Sequence, residues 1–400
     1  MAGSAGRALI AGGGIGGMAA AVALARAGWS VTLHERASAF REVGAGLQMS
    51  PNACHVLRWL GLLEAVDAVA FRPQAAEMRD GITGEIIYRA PLDRAAEERW
   101  GAPYLHVHRA DLLHILIEAA RAAGVGLRTG DPVTGYSTRT DGVRVQMADG
   151  RTETADICIA ADGLRSALRN TLNGEEAPSF SGQVVWRGTV PAARCPEGLV
   201  TPTGTVWAGP GRHLVTYYVR RGELVNFVDA EEQAEWTEER WSIPGDPETL
   251  RAGFRGWHGR VTGLLDLVEE PFVWGLFLRA EQVRWTDGRV ALLGDAAHAM
   301  LPYMAQGAAM ALEDVAVLLR ALETRPDVKA ALRAYEEARW SRVARVQQRS
   351  ADNRRLFHMD TMAAKLFSWT PIALATRIAP KLSAMQLDWL YGQNVTTVKP

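Results

Sequence analysis

The stretch "ALIAGGGIGGMAAAVALARAGWSVTLHE" (Ala8–Glu35) contains an apolar strand, a glycine-rich turn, an alanine-rich helix and a second strand. This order is typical of a βαβ unit, in which the helix begins at the carboxyl end of the first strand. The glycines fit the pattern GxGxxG as Gly12, Gly14 and Gly17. In that pattern the first glycine allows a tight turn, the second lets the backbone approach a pyrophosphate, and the third lets helix and strand pack closely. The stretch therefore predicts a parallel α/β domain that binds a dinucleotide at the start of the helix.

The acidic residue that ends the second strand supports this interpretation. Glu35 stands where a carboxylate can accept hydrogen bonds from the hydroxyls of a ribose. Two alternatives remain open: a glycine-rich turn with a purely structural role, and a Glu35 that is only a solvated strand end. The motif by itself also leaves NAD and FAD undecided.

The composition is that of an ordinary globular protein. The chain has 400 residues, a net charge of −1 and 22% charged residues, so neither nucleic acid nor an anionic membrane is an expected partner. Its apolar runs are too short for a membrane span, no signal peptide is visible, and the three cysteines lack metal-ligand spacing. We therefore expect a cytoplasmic protein without a metal site, as a monomer or a homodimer.

Two further apolar segments end in an aspartate next to a glycine. These strand ends are Asp162-Gly163 and Gly294-Asp295, which lie far apart in the sequence. Because the carboxyl ends of parallel strands meet at one edge of a sheet, we expect both pairs to line one ligand-binding crevice. The pairs argue against a dehydrogenase or regulatory module that has kept only the nucleotide-binding unit.

The middle of the chain is rich in aromatic, strand-like segments such as "HLVTYYVRRGELVNFVDA" (residues 213–230). Upstream, "SPNACHVLRWLGLLEAV" (residues 50–66) predicts one helix with Ser50 as its N-cap. We therefore predict an α/β fold: a Rossmann-like nucleotide-binding domain with an inserted antiparallel-sheet domain and C-terminal helices. The predicted boundaries are residues 1–75, 101–180 and 280–330 for the nucleotide-binding domain, residues 76–100 and 181–279 for the sheet domain, and residues 331–400 for the helices.

Together, the motifs resemble those of the class A flavoprotein monooxygenases that hydroxylate aromatic compounds, in the branch of salicylate hydroxylase, 3-hydroxybenzoate 6-hydroxylase and 6-hydroxynicotinate 3-monooxygenase. The matching motifs are the GxGxxG with its acid, the Asp-Gly pair with Ser166 and Arg169, and the Gly-Asp pair with Pro302 and Gly307. The resemblance covers roughly residues 7–325. It implies FAD as the bound cofactor, NAD(P)H as the reductant with NADH slightly preferred, and O2 as a substrate.

The resemblance also implies particular FAD contacts. In the family the Gly-Asp carboxylate, here Asp295, hydrogen-bonds the ribityl chain, and an arginine at a helix start, here Arg109, lies near the flavin and its pyrophosphate. An arginine there opposes the helix dipole, which favours this role over that of a plain surface residue. Backbone N–H groups of Gly307 and Ala308 would stabilise the negative charge of reduced flavin. The other implied FAD-binding residues are Gly12, Gly14, Ile15, Gly16, Gly17, Glu35, Arg36, Arg41, Asp162, Gly294 and Gln306, the last as a ring contact, a helix cap or a solvated side chain.

A substrate pocket is implied in the same way. Strand alternation puts His213 and Tyr217 on one face, and the family branch has a His and a Tyr at this spacing in its pocket. His213 is the expected base or hydrogen-bond partner of the substrate hydroxyl, with a structurally satisfied strand-edge His as the alternative. Tyr217 and Tyr303 are the other catalytic candidates. Tyr104 resembles the pocket tyrosine of 3-hydroxybenzoate 6-hydroxylase.

The implied reaction is hydroxylation of a small hydroxy-aromatic carboxylate, salicylate- or 3-hydroxybenzoate-like, by a flavin C4a-hydroperoxide. Two same-fold alternatives remain: a hydroxylase of a hydroxypyridine carboxylate such as 6-hydroxynicotinate, and a flavin epoxidase or reductase acting on a non-aromatic compound. Gln48 and Tyr303, both expected in the substrate pocket, stand where 6-hydroxynicotinate 3-monooxygenase carries histidines. These two departures disfavour 6-hydroxynicotinate.

Overall fold

The computed structural model describes residues 5–40, 45–238, 243–280, 283–378 and 384–397. Within these ranges, the nucleotide-side sheet has six strands. In spatial order they are β18 (Thr286–Asp287), β19 (Val290–Leu292), β11 (Ile157–Ala160), β1 (Gly6–Ala11), β2 (Trp29–Glu35) and β7 (Gly126–Thr129). Neighbouring strands are parallel, apart from the antiparallel pair β18 and β19. The predicted parallel α/β sheet is confirmed.

The βαβ unit at the chain start forms as the sequence predicts. Helix α1 (Ile15–Arg26) connects β1 to β2 and buries almost all of its Ala, Val and Leu side chains. Gly12 has φ +104°, a conformation that favours glycine. A Cβ atom at Gly17 would lie 2.0 Å from the Gly12 carbonyl oxygen, so only glycine lets the helix pack this close to the strand.

A second, larger sheet follows the aromatic part of the chain. Among the described residues it contains eight strands, in the order β16 (Ile243–Pro244), β17 (Phe272–Leu278), β12 (Ser179–Pro191), β15 (Leu224–Glu232), β14 (Arg212–Val219), β13 (Gly204–Gly209), β4 (Ala75–Asp80) and β5 (Ile86–Pro91). All neighbours are antiparallel except β13 and β4. In this sheet the upstream hairpin β4–β5 pairs with the central strand β13, so two separate segments of the chain form one sheet. The exact domain boundaries remain a prediction.

Smaller sheets and the helices complete the fold. One small sheet comprises β8 (Val133–Thr138), β9 (Val143–Met147) and β10 (Thr152–Ala155), and another comprises β3 (Gly46–Met49) and β6 (Leu105–His108). Upstream helices are α2 (Pro51–Trp59), α3 (Leu63–Val69), α4 (Asp93–Trp100), α5 (Arg109–Ala122), α6 (Ala167–Asn173), α7 (Pro247–Ala252) and α8 (Gly259–Leu265). Downstream helices are α9 (Asp295–His298), α10 (Gly307–Thr324), α11 (Val328–Phe357), α12 (Met362–Ile378) and α13 (Asp388–Tyr391).

One predicted helix is divided in two. The segment 50–66 forms α2 and the start of α3, separated by a turn in which Gly61 has φ +63°. Ser50 is the N-cap residue of α2, but its hydroxyl donates to the Asn52 side chain at 2.7 Å instead of accepting a backbone N–H. The single-helix prediction was wrong because the apolar pattern continues across the turn while the backbone does not.

The C-terminal helices pack on the second sheet, and one of them exposes several apolar side chains to solvent. Helix α12 buries Trp369 and leaves Met362, Phe367 and Ile378 at least 74% exposed. In the described part of the chain, no helix combines the length and the apolar character that crossing a membrane demands.

Candidate functional site

A cavity of about 600 Å³ collects residues from both large sheets and from the C-terminal helices. Three strand ends of the nucleotide-side sheet reach it, at Gly14–Gly16 after β1, at Ala161 and Gly163 after β11, and at Gly294-Asp295 after β19. Gly163 and both residues of the Gly-Asp pair line one crevice, as expected, whereas Asp162, whose Oδ1 is buried, does not belong to the lining. The lining also includes Gln48, Tyr104, Arg109, His213, Tyr217, Tyr303, Gly307 and Ala308.

The Gly-Asp turn presents its carboxylate to the cavity. Gly294 has φ +63°, and Asp295, the first residue of α9, is exposed at the cavity wall. Behind the turn, buried Asp314 accepts hydrogen bonds from the Gly294 N–H at 3.1 Å and from His298 Nε2 at 2.6 Å. Burial raises the pKa of Asp314, but His298 and Arg339 outweigh burial and lower it to about 2. An ionised Asp314 thus fixes the turn that carries Asp295.

The start of α10 offers backbone to the cavity. Among the residues that the structure describes, no atom lies within 4 Å of the position that a Cβ atom at Gly307 would occupy, so the helix start is open to a ligand. Gln306 is the N-cap residue, but its side chain is 1% exposed and does not belong to the cavity lining. It donates to Ser50 Oγ at 2.9 Å and accepts from Asn52 Nδ2 at 3.1 Å. The structure therefore places Gln306 in an interior network, and neither as a ring contact nor in solvent.

Helix α6 connects the Asp-Gly motif to the Gly-Asp motif through hydrogen bonds. Asp162 Oδ2 accepts from the Ala167 N–H at 2.9 Å, so this carboxylate holds the start of α6. Buried Arg169 on α6 donates to the carbonyl oxygens of Ala296 and Ala297, both at 3.2 Å. These bonds link α6 to α9. Asp162 Oδ1 is buried and, within the residues that the structure describes, has no hydrogen-bond partner.

The acid after β2 sits beside the glycine-rich turn. Glu35 Oε2 accepts from the Gly13 N–H at 2.7 Å, and Oε1 accepts from the Ala37 N–H at 2.8 Å. Arg36 is exposed and does not line the cavity, and Arg41 lies outside the described residues. Arg109, in contrast, is the first residue of α5 and lines the cavity as expected.

One face of β14 forms the opposite part of the lining. His213, Val215 and Tyr217 all contact the cavity, which confirms the predicted alternation. His213 is 3% exposed, and its Nδ1 lies 2.8 Å from His358 Nε2. Burial, with a smaller contribution from His358, lowers the pKa of His213 well below its ordinary value, so its ring is neutral at pH 7. Burial raises the pKa of Tyr217, which keeps this hydroxyl protonated.

The other two tyrosines predicted for the pocket, Tyr104 and Tyr303, donate hydrogen bonds to amide side chains. Tyr104 donates to Gln48 Oε1 at 2.7 Å, so these two lining residues act as a pair. Tyr303 donates to Gln183 Oε1 at 2.5 Å, and its ring lies 5.0 Å from that of His213. The Tyr303 hydroxyl can therefore accept a hydrogen bond from a ligand, but its proton is already used.

Several lining residues come from the C-terminal region, for which the sequence suggested no role. Asn353 and Phe357 of α11, Ile372 of α12 and Tyr391 of α13 all contact the cavity. His358 follows α11 directly and contacts His213. No local motif marks these residues, because each reaches the cavity only through the packing of distant elements.

Comparisons with known proteins agree with this geometry. The family described as FAD binding domain matches residues 6–350. The chain is 40% identical over 396 residues to the 3-amino-4-hydroxybenzoate 2-monooxygenase PtnB3 of Streptomyces platensis, covering 98% of this chain and 97% of that protein. It is 38% identical over 351 residues to the 6-hydroxynicotinate 3-monooxygenase of Bordetella bronchiseptica, covering 87% and 91%. A solved salicylate hydroxylase substrate complex matches 98% of each chain with a TM-score of 0.82 and 27% identity.

These similarities extend far beyond the three short motifs. The family match includes every strand of both large sheets, and the relatives cover nearly the whole chain. The resemblance inferred from the motifs is thereby confirmed. The chain belongs to the FAD binding domain family, among the flavin-dependent aromatic monooxygenases.

Proposed function

We propose that this protein uses FAD, NAD(P)H and O2 to hydroxylate a small hydroxy-aromatic carboxylate. The observation that carries the proposal is the joint cavity. On one side the cavity is lined by strand ends of the nucleotide-side sheet and by the helix starts that follow them. On the other side it is lined by β14, which includes the neutral, buried His213. Such a cavity can hold a redox cofactor and an aromatic ring side by side.

The nucleotide side of the cavity fits FAD. A Cβ atom at Gly14 or Gly307 would meet no described residue within 4 Å, so ligand atoms can approach the backbone at both helix starts. The exposed Asp295 carboxylate lines the cavity and can accept hydrogen bonds from a polyhydroxylated ligand. When bound, FAD supplies the redox and oxygen chemistry that side chains lack.

Each part of this side has a proposed role. The N–H groups at the start of α1 would hold the pyrophosphate with Arg109, and Glu35 would hold the adenosine ribose. Asp295 would bind the ribityl chain. The N–H groups of Gly307 and Ala308, at the positive end of α10, would face the part of the flavin that becomes negative on reduction. The other proposed backbone and supporting contacts are those of Gly12, Ile15, Gly16, Gly17, Arg36, Asp162 and Gly294.

The substrate side combines an apolar lining with a few polar groups. Met78 and Val206 lie on the same wall as His213 and Tyr217, so a ring bound there is shielded from water. His213 would accept the proton of the substrate hydroxyl, because an electron-rich phenolate reacts most readily with an electrophilic oxygen. Tyr217 would donate a hydrogen bond to the substrate.

The relatives narrow the substrate class. Their names describe an aminohydroxybenzoate and a hydroxynicotinate, which both carry a ring hydroxyl and a carboxylate. We propose a salicylate- or 3-hydroxybenzoate-like acid for this protein. A hydroxypyridine carboxylate is the second candidate, favoured by the similarity to the Bordetella enzyme and disfavoured by Gln48 and Tyr303.

A substrate screen tests the proposed function. The protein should be yellow, and NADH oxidation should accelerate with one or more of salicylate, 3-hydroxybenzoate, 3-amino-4-hydroxybenzoate and 6-hydroxynicotinate. Mass spectrometry should then detect a product with one added oxygen. NADPH is compared in parallel. A colourless protein that releases no flavin on denaturation would overturn the proposal, as would NADH oxidation that adds oxygen to none of the acids.

The Gly14→Ala variant is expected to fold but to lose FAD. Gly14 has φ −74° and ψ −176°, a conformation open to alanine, so the free energy of unfolding should change by less than about 1 kcal/mol. The new methyl group would occupy the space of the cofactor, which should weaken FAD binding about ten- to a hundredfold. The measurement is FAD titration of the apoprotein. Gly259→Ala, a helix-start glycine with equally open surroundings in α8, is the control and should keep full affinity.

A further inference from the structure

We propose that His358 and Glu232 form a proton relay behind His213. The relay holds His213 in the tautomer whose Nε2 is unprotonated toward the cavity, and it carries the substrate's proton to solvent. The proposal rests on the proposed hydroxylation at this cavity. His213 is the residue that would touch the substrate, while His358 and Glu232 act through it as positioning residues.

Three side chains form a continuous path from the cavity to the surface. His213 lines the cavity, and its Nδ1 lies 2.8 Å from His358 Nε2. The other ring nitrogen of His358, Nδ1, lies 3.0 Å from Glu232 Oε1. Both histidines are less than 10% exposed, whereas the Glu232 side chain is 51% exposed. The rings of Tyr303 and Phe357 pack at 5.0 and 5.2 Å from His213, so the inner part of the path is enclosed.

The exposed carboxylate decides the tautomer of both rings. An ionised carboxylate only accepts hydrogen bonds, so His358 must carry its proton on Nδ1. His358 Nε2 is then an acceptor, which requires His213 to carry its proton on Nδ1. The remaining nitrogen, His213 Nε2, keeps its lone pair for the cavity. Glu232 thereby leaves His213, two hydrogen bonds away, in the tautomer that can act as a general base.

The same bonds can transfer a proton in three balanced steps. The substrate O–H bond breaks as a bond forms between that hydrogen and His213 Nε2. The Nδ1 proton of His213 passes to His358 Nε2, and the Nδ1 proton of His358 passes to Glu232, which exchanges it with water. No electrons are gained or lost by the three side chains. Run in reverse, the steps return the proton and restore both tautomers.

The charges around the path keep both rings neutral. Burial lowers the pKa of His213, and His358 adds to this effect. Burial also lowers the pKa of His358; its hydrogen bond to Glu232 opposes this, and the positive charges of Arg354 on α11 and Arg212 on β14 reinforce it. The net direction is downward for both histidines. Each ring therefore keeps one nitrogen that accepts a proton and one that donates a proton near pH 7.

Nuclear magnetic resonance of the ring nitrogens tests the assignment in the holoenzyme. The chain contains nine histidines, so nitrogen-15-labelled histidine gives a spectrum in which single His→Gln variants assign His213 and His358. Both residues should be protonated on Nδ1 in the wild-type protein. In Glu232→Ala the Nδ1 preference of both should be lost. Glu235→Ala, which removes another exposed glutamate of the same segment, should leave both unchanged.

A rate measurement separates the relay from a purely structural role. Glu232→Ala should lower kcat for hydroxylation about tenfold, the equivalent of one pKa unit at His213, with little change in KM. A wild-type His213 protonated on Nε2, or unchanged tautomers in Glu232→Ala, would overturn the relay. If both histidines have the expected tautomers but no aromatic acid is oxygenated, the proposed function fails and only the tautomer assignment stands.

Discussion

The His213→Ala variant is expected to hydroxylate its substrate about 10²–10⁴-fold more slowly than the wild-type protein while keeping its FAD. His213 lies on β14 in the second sheet, and it is the lining residue whose neutral ring can take a proton from a bound phenol. The glycine-rich turn and the Gly-Asp turn belong to the other sheet. Product formed per bound flavin, together with the ratio of FAD to protein, measures the two effects separately.

A neighbouring residue provides the control for this experiment. Val215→Ala also removes side-chain volume from the same face of β14, two residues further on, but it removes no ionisable group. We expect it to raise KM and to leave kcat within a few-fold of the wild-type value, since it changes packing around the substrate alone. Loss of FAD with intact turnover per flavin in His213→Ala would show that His213 belongs to the cofactor side, and would refute the proposed role.

The nucleotide side of the site could be predicted from the sequence because its signals are local. The tight turn at Gly12, the close packing at Gly17 and the two Asp-Gly strand ends each depend on residues within one strand–turn–helix segment. Period-two alternation then sufficed to put His213 and Tyr217 on one face of β14. Local strand patterns of the same kind also predicted both large sheets.

The rest of the site could not be predicted because its partners are distant in sequence. His213 and His358 are separated by 145 residues, and Tyr303 and Gln183 by 120. Hydrogen bonds between such residues exist only after the helices have packed on the second sheet. Gln306 illustrates the same limit, because its position at a helix start allowed several roles and its contacts with Ser50 and Asn52 decided between them.

A buried ionic network supports the two helix starts that face the cofactor side. Arg339 of α11 is fully buried and donates to Asp314 Oδ1 at 2.7 Å and to Glu313 Oε2 at 2.5 Å. Glu313 also accepts from Asn52, the residue that contacts Gln306 at the start of α10. Asp314 holds the Gly294 N–H of the Gly-Asp turn. One guanidinium on α11 thus stabilises both structures that we assign to the flavin.

The Arg339→Met variant is expected to lose about 3–5 kcal/mol of unfolding free energy, because it removes the buried guanidinium that pairs with both carboxylates. The substitution leaves Glu313 to Arg342 and Asp314 to His298. Urea denaturation of the apoprotein measures this loss. Arg349→Met, the same replacement at an exposed site on the same helix, should change stability by less than about 0.5 kcal/mol. Combining Arg339→Met with Asp314→Asn should recover part of the lost stability, because the second substitution removes the buried negative charge of Asp314 that has lost its Arg339 partner. Equal stability of Arg339→Met and Arg349→Met would mean that the network does not hold the helix starts in place.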